Sequence, residues 1–175
     1  MSQPLSDRIK SLPVSQTLAM AAKARELKGQ GKDIISLSLG EPDFNTPDFI
    51  KEAAIQAIND NYNSYSPVNG YADLREAICR KFKRDNNLDY NINQVVVSTG
   101  AKQSIANVAM VLLNPGDEVL LPAPYWVSYS AISILAEANY VEIPSTIETD
   151  FKITPEQLEA AITPKTKMIF FNSPN

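Results

Sequence analysis

The run Ser98-Thr99-Gly100-Ala101-Lys102-Gln103 has the plainest capacity for chemistry in this chain. It follows an apolar stretch, Val95-Val96-Val97, that reads as a strand, and it opens a helix. A helix starting there leaves its first backbone N–H groups without intrahelical acceptors, at the positive end of its dipole, and so presents a site for an anion. Gly100 lets a ligand approach the backbone closely, and Ser98 or Thr99 offers a capping hydroxyl. A second feature, Pro124-Tyr125-Trp126, follows the strand Glu118-Val119-Leu120-Leu121. That puts an aromatic residue on the edge of an open α/β sheet where ligands bind. Singly, both features are ambiguous. A Ser-Thr-Gly junction also occurs where nothing binds, and a lone Trp126 packs a core as readily as it covers a flat ring.

The elements that must position these residues alternate. Residues 17–28 are dense in helix formers and end at Gly29 as a C-cap, and Ile34 to Leu39 forms a short strand broken at Gly40-Glu41-Pro42-Asp43-Phe44. Gly29-Gln30-Gly31-Lys32 lacks the spacing of a phosphate loop and follows a helix, so it reads as a cap. Pro47 starts a helix with Phe49, Ala53 and Ala57 in one stripe, residues 59–70 form a polar loop carrying Tyr62 and Tyr65, and a helix runs from Tyr71 to about Arg84. By spacing alone the two tyrosines anchor their loop. The helix after Gly100 presents Ile105, Val108, Ala109 and Leu112 as a buried face. Beyond the strand at 117–121 come a helix over 127–136, a strand from Tyr140 to Ile143, a helix capped by Thr154 with Pro155 first, and a strand from Lys167 to Phe171. The pattern predicts an α/β fold, a mostly parallel sheet flanked by helices. Met168 to Phe171 suits an interior strand, so a chain ending at Asn175 reads as an N-terminal fragment.

Composition narrows the chemistry. The chain has 175 residues, 44% hydrophobic and 21% charged, about one domain's worth with material for a core. A net charge of −4 without a long basic run argues against nucleic acid as a partner. No apolar run is long enough for a membrane span and the N-terminus shows no leader pattern, so a cytoplasmic protein is expected. Histidine is absent, which excludes Ser-His-Asp and Cys-His pairs and any His-ligated metal, and no metal site is expected. The single cysteine, Cys79, falls in a helical stretch and reads as core filler.

Six blocks in order then carry a resemblance: Leu39-Gly40-Glu41-Pro42-Asp43-Phe44, Tyr65 to Arg75, Ser98 to Gln103, Asn114 to Val119, Pro124 to Tyr129, and Asn172-Ser173-Pro174-Asn175. Across essentially its whole length the chain resembles the N-terminal part of a class I pyridoxal-phosphate-dependent aminotransferase. The block Pro124 to Tyr129 is most similar to the bacterial aspartate, or aspartate/prephenate, branch. The resemblance implies the large domain of fold type I transferases, incomplete at its C-terminal end, with residues 1–45 as N-terminal arm and start of a small domain and 46–175 as the first part of the large domain. It implies pyridoxal 5'-phosphate held through the backbone N–H groups of Ala101 and Lys102, Trp126 stacked on its ring, and Gly40 offering its N–H to the substrate α-carboxylate, with Trp126 also facing substrate. It implies a homodimer of amino-acid metabolism, in which Tyr65 reaches the phosphate of the neighbouring subunit's cofactor, with an amino acid and a 2-oxo acid as small-molecule partners.

The same resemblance locates the catalytic Schiff-base lysine beyond Asn175, together with the acidic partner of the pyridine nitrogen and the arginines. None of the eleven lysines here stands in the family's lysine motif. No catalytic residue is therefore expected within this chain, which is expected to be inactive alone. Two other classes compete. A dinucleotide-binding domain needs Gly-x-Gly-x-x-Gly, whereas Gly100-Ala101-Lys102-Gln103 lacks the second and third glycines. A noncatalytic binding or assembly module suits a chain without the lysine.

Overall fold

The computed structural model describes residues 4–173, so Pro174 and Asn175 of the last block lie outside the described residues. The chain divides into two compact units, Gln16–Ser98 and a second that joins the residues up to Ser15 to those from Thr99 onward.

The second unit is built around a three-stranded parallel sheet in the order β2-β1-β3, with β1 at Glu118–Pro122, β2 at Asn139–Ile143 and β3 at Thr166–Ile169. β1 is central because Val119, Leu120 and Leu121 are all buried, so both of its faces are covered, as a parallel strand requires. Each such side chain contributes roughly 1.5–3 kcal/mol over an exposed one. The helices here are α1 (Asp7–Lys10), α5 (Ala101–Leu112), α6 (Ser128–Leu135) and α7 (Pro155–Ala161). Val119 and Leu121 cluster with Ala109 and Leu113 at the end of α5 and with Tyr129, Ile132, Ala136 and Ala138. Ser133 is buried within α6 because its hydroxyl donates to Tyr129 O at 2.9 Å, which satisfies it locally. α7 begins as expected, with Thr154 and Gln157 exchanging side-chain and backbone bonds in a capping box.

Two expectations for this unit need correction. The buried face of α5 is Ile105, Ala106 and Ala109, continued by Leu113, whereas Val108 and Leu112 are about half exposed. The chain leaves the helix at Leu113 in an extended conformation, which turns that side chain inward. The last strand is Thr166–Ile169 rather than Lys167 to Phe171, and among the described residues it pairs with β1 alone and alternates between half-buried and exposed residues, with Phe171 exposed. A strand paired on one side shows the two-residue period, and the apolar run had hidden it.

The unit Gln16–Ser98 is helical: α2 (Gln16–Gly29), α3 (Asp48–Asn59) and α4 (Ala72–Asn86), then a 3-10 turn at Ile92–Gln94. Neither strand expected here forms. Ile34 to Leu39 is irregular, with Ile35 and Leu37 almost wholly exposed, and Val95 to Val97 is extended without a ladder partner among the described residues. Propensity favoured strands at both places, but a strand exists only through pairing, and Val97 N–H finds a single loop acceptor, Asn69 O, at 3.2 Å. Two boundaries also shift. Gly29 is the last helical residue while Gly31 takes the positive φ of 78°, and Pro47 is the N-cap of α3 rather than its first residue. Cys79 is half-buried.

Arg75 is the buried charge of this unit. Its Nε donates to Gly70 O at 3.1 Å and its Nη1 to Ile92 O at 3.0 Å, so the guanidinium ties the polar loop to the 3-10 turn. Gly70 is obligatory beside it. Its φ is +92°, and a Cβ there would stand 2.7 Å from Val97 Cγ2.

Candidate functional site

Gly100 is the N-cap of α5, with φ 84° and ψ 158°. Nothing lies within 4 Å of where its Cβ would stand, so the space beside this turn is open while the backbone itself demands glycine. Ser98 and Thr99 do not cap the helix, contrary to expectation: a glycine occupies the N-cap and no side chain bonds there. Gln103 reaches back instead, accepting the Thr99 N–H on its Oε1 at 2.5 Å. The first amides to find acceptors inside the helix are those of Gln103 and Ser104, both on Gly100 O at 3.1 and 3.5 Å. The N–H groups of Ala101 and Lys102 are the pair that helix geometry leaves over, at the positive end of the dipole.

Trp126 stands in the same unit, and the fold joins it to this helix end. The Lys102 ammonium lies 4.9 Å from the centroid of the Trp126 ring, over the indole. Trp126 is 40% exposed, open enough to accept a second flat partner. Its edge meets Tyr129 at 5.6 Å and 87°, and Tyr129 in turn stacks on Phe170 at 5.1 Å and 26°. The Tyr129 hydroxyl donates to Asn172 Oδ1 at 3.3 Å. An aromatic ladder therefore runs from the core beneath β3 to the plate beside the α5 N-terminus. Of this ladder, sequence reasoning had singled out Trp126 alone. The T-shaped pair is legible in the spacing of three residues at the start of a helix, but the contact with Phe170 needs the sheet.

The segment before Trp126 is held from the other side. Ala123 N–H donates to Ile143 O at 2.9 Å, the Ser145 hydroxyl donates to Ala123 O, and the Tyr125 hydroxyl donates to the Glu142 carboxylate. Burial first, and then the bond to and charge of Glu142, push the Tyr125 phenol up to about 12, so it remains a donor at neutral pH.

Gly40 and Tyr65 belong to the other unit. Gly40 is exposed with open space around it. Tyr65 is fully exposed, projecting from the loop that Arg75 and Gly70 secure. A tyrosine that only anchored its loop would be partly covered, as Tyr62 is against Tyr71 at 5.6 Å.

Two leftover amides, a neighbouring cation and an open indole stand together beside a parallel α/β sheet, a set of groups suited to a flat, anion-bearing ligand. The chain belongs to the aminotransferase class I and II family, whose model matches residues 32–175. It is 53% identical over 171 residues to an aspartate/prephenate aminotransferase of Cereibacter sphaeroides, covering 98% of this chain and 43% of that protein. It is 49% identical to an aspartate aminotransferase of Bacillus sp. strain YM-2 over all of its own length and 45% of the relative's. Among solved structures it matches the aspartate aminotransferase of Thermus thermophilus with maleate at a TM-score of 0.95 and 42% identity, over 99% of this chain and 45% of that one. The chain thus spans under half the length of these relatives.

The donor set fits the cofactor that the family implies. A phosphate ester needs N–H donors and positive potential, which the α5 terminus and Lys102 supply, and a pyridine ring needs an apolar face, which Trp126 supplies. Among the described residues no helix is long and apolar enough to cross a membrane.

Proposed function

We propose that this chain is the cofactor-cradling part of an aminotransferase that moves an amino group from aspartate, or a similar L-amino acid, to a 2-oxo acid with pyridoxal 5'-phosphate. The observation that carries the reading is the meeting of the α5 N-terminus with the Trp126 plate through Lys102. Ala101 and Lys102 hold the phosphate through their N–H groups, and Trp126 covers the ring and keeps water from that face. When bound, the pyridoxal group supplies the electron-withdrawing ring on which amino-group transfer depends. Gly40 presents its N–H to the substrate α-carboxylate. Tyr65, being fully exposed, serves the phosphate site of a second copy, so the working form is a homodimer. In domain terms, residues 1–45 are the arm and start of a small domain, and 46–175 belong to the large one. The setting is the cytoplasm. The chain by itself carries none of the family's lysine motif and does not turn over substrate.

Trp126 is the sole tryptophan, so its fluorescence reports the site directly. Pyridoxal 5'-phosphate is expected to quench it saturably, inorganic phosphate to compete, and pyridoxal without phosphate to bind at least tenfold more weakly, since charge-assisted bonds contribute about 1.5–3 kcal/mol each. Equal quenching by pyridoxal and its phosphate overturns the phosphate cradle. A protein of the relatives' full length that moves no amino group from aspartate to a 2-oxo acid overturns the activity.

A further inference from the structure

We infer that Tyr125 is a positioning residue for the aromatic plate: its bond to Glu142 on β2 sets where Trp126 stands relative to the α5 N-terminus. The inference rests on the ring-binding reading of Trp126 and deepens it.

Trp126 has two different kinds of neighbour. Tyr129 supports the ring at its edge and Lys102 lies over it, and both are contacts of the side chain. The backbone station of Trp126 is set by what precedes it. Ala123 is bonded through its N–H to Ile143 O at the end of β2 and through its carbonyl to the hydroxyl of Ser145, two residues past that strand. Between that anchor and Trp126 lie Pro124, which donates no backbone hydrogen bond, and Tyr125. Tyr125 is the residue next to the plate whose side chain reaches β2, and it does so at Glu142, one residue before the Ile143 that anchors Ala123. Two bonds two residues apart therefore hold this segment to β2. Trp126 then enters α6 with its own carbonyl accepting the Tyr129 N–H at 2.9 Å, so the plate is held between a strand end and a helix start.

Glu142 is exposed, which gives a surface residue with which to test the tether. The experiment compares the 175-residue chain with Tyr125→Phe, Glu142→Ala, Glu142→Gln and the Tyr125→Phe/Glu142→Ala double variant, at matched far-UV circular dichroism. The first readout is acrylamide quenching of Trp126 without ligand. Tyr125→Phe and Glu142→Ala are each expected to raise Trp126 accessibility, the double variant to equal either single one, and Glu142→Gln, which keeps an acceptor oxygen, to stay near the parent. The second readout is pyridoxal 5'-phosphate affinity, expected to weaken about fivefold in the two single variants, the population effect of losing one ordinary hydrogen bond. Additive effects, unchanged quenching, or changed quenching with unchanged affinity each overturn the positioning role. If Tyr125→Phe does not fold, Glu142→Ala against Glu142→Gln carries the same comparison alone. A parent chain that shows no saturable quenching by pyridoxal 5'-phosphate removes the cradle reading instead, while the acrylamide comparison still reports on the tether.

Discussion

At the scale of single residues, Gly100 and Tyr125 are the most exposed to test. Gly100 sits at φ 84° with open space around it, so an alanine meets no neighbour and the cost is backbone strain alone, on the order of 1–2 kcal/mol. Gly100→Ala is expected to lower the unfolding free energy measured in urea by that amount and to weaken pyridoxal 5'-phosphate binding measured through Trp126, because the leftover amides re-aim when the turn relaxes. Unchanged affinity would show that the cradle does not depend on this turn. Tyr125 makes a claim about pH. Its phenol is raised from 10.0 to about 12, so between those values the folded chain keeps a proton that the unfolded chain has lost. The corresponding stability is fully present below pH 10 and disappears as pH climbs toward about 12. Denaturation midpoints of the parent should therefore fall more steeply over that window than those of Tyr125→Phe, and parallel curves would contradict the assignment. Arg75 belongs to this scale as well. Nothing in its helical spacing marks it, yet it is a buried guanidinium with two backbone carbonyl acceptors and it secures the loop that displays Tyr65.

Individual elements were legible where their signals are local. The Thr154-Pro155 start of α7 carries its cap and its fixed φ in two residues, and the structure reproduces both and adds a capping box with Gln157. Thr154→Ala is expected to cost about 1 kcal/mol in chemical denaturation, with no effect on Trp126 quenching. The start of α5 was equally legible, because a glycine before a run of helix formers ends one element and begins another. Its capping was not, since Gly100 takes the N-cap with no side chain bonded there and Gln103 Oε1 instead accepts the Thr99 N–H from four residues along the chain. Ile34 to Leu39 and Val95 to Val97 mark the boundary of this kind of reasoning. β-branched and leucine-rich runs state a preference for extended backbone, and extended backbone becomes a strand only when a neighbour supplies the ladder.

At the scale of the whole molecule, two compact units leave many apolar side chains in water, among them Ile35, Leu37, Val111 and Phe171. Exposure of this extent favours association, so sedimentation velocity is expected to show the 175-residue chain forming larger species as concentration rises. A single monomeric boundary at all concentrations would refute it. What the amino-acid sequence determined by itself was the alternation of helices and strands in the second unit, the helix start at Gly100 and the family whose six blocks it carries. These are properties of neighbours in the chain, where propensity, capping and turn chemistry act within a few residues. Only the tertiary structure decided that Lys102 lies over Trp126, that Tyr129 and Phe170 support the plate, that Tyr125 is tied to Glu142, and which extended segments become strands. Apart from the Trp126–Tyr129 pair, these contacts join residues from about 17 to over 40 positions apart, as with Tyr125 and Glu142 or Tyr129 and Asn172, and contacts at that separation exist only once β1, β2 and β3 are paired in register.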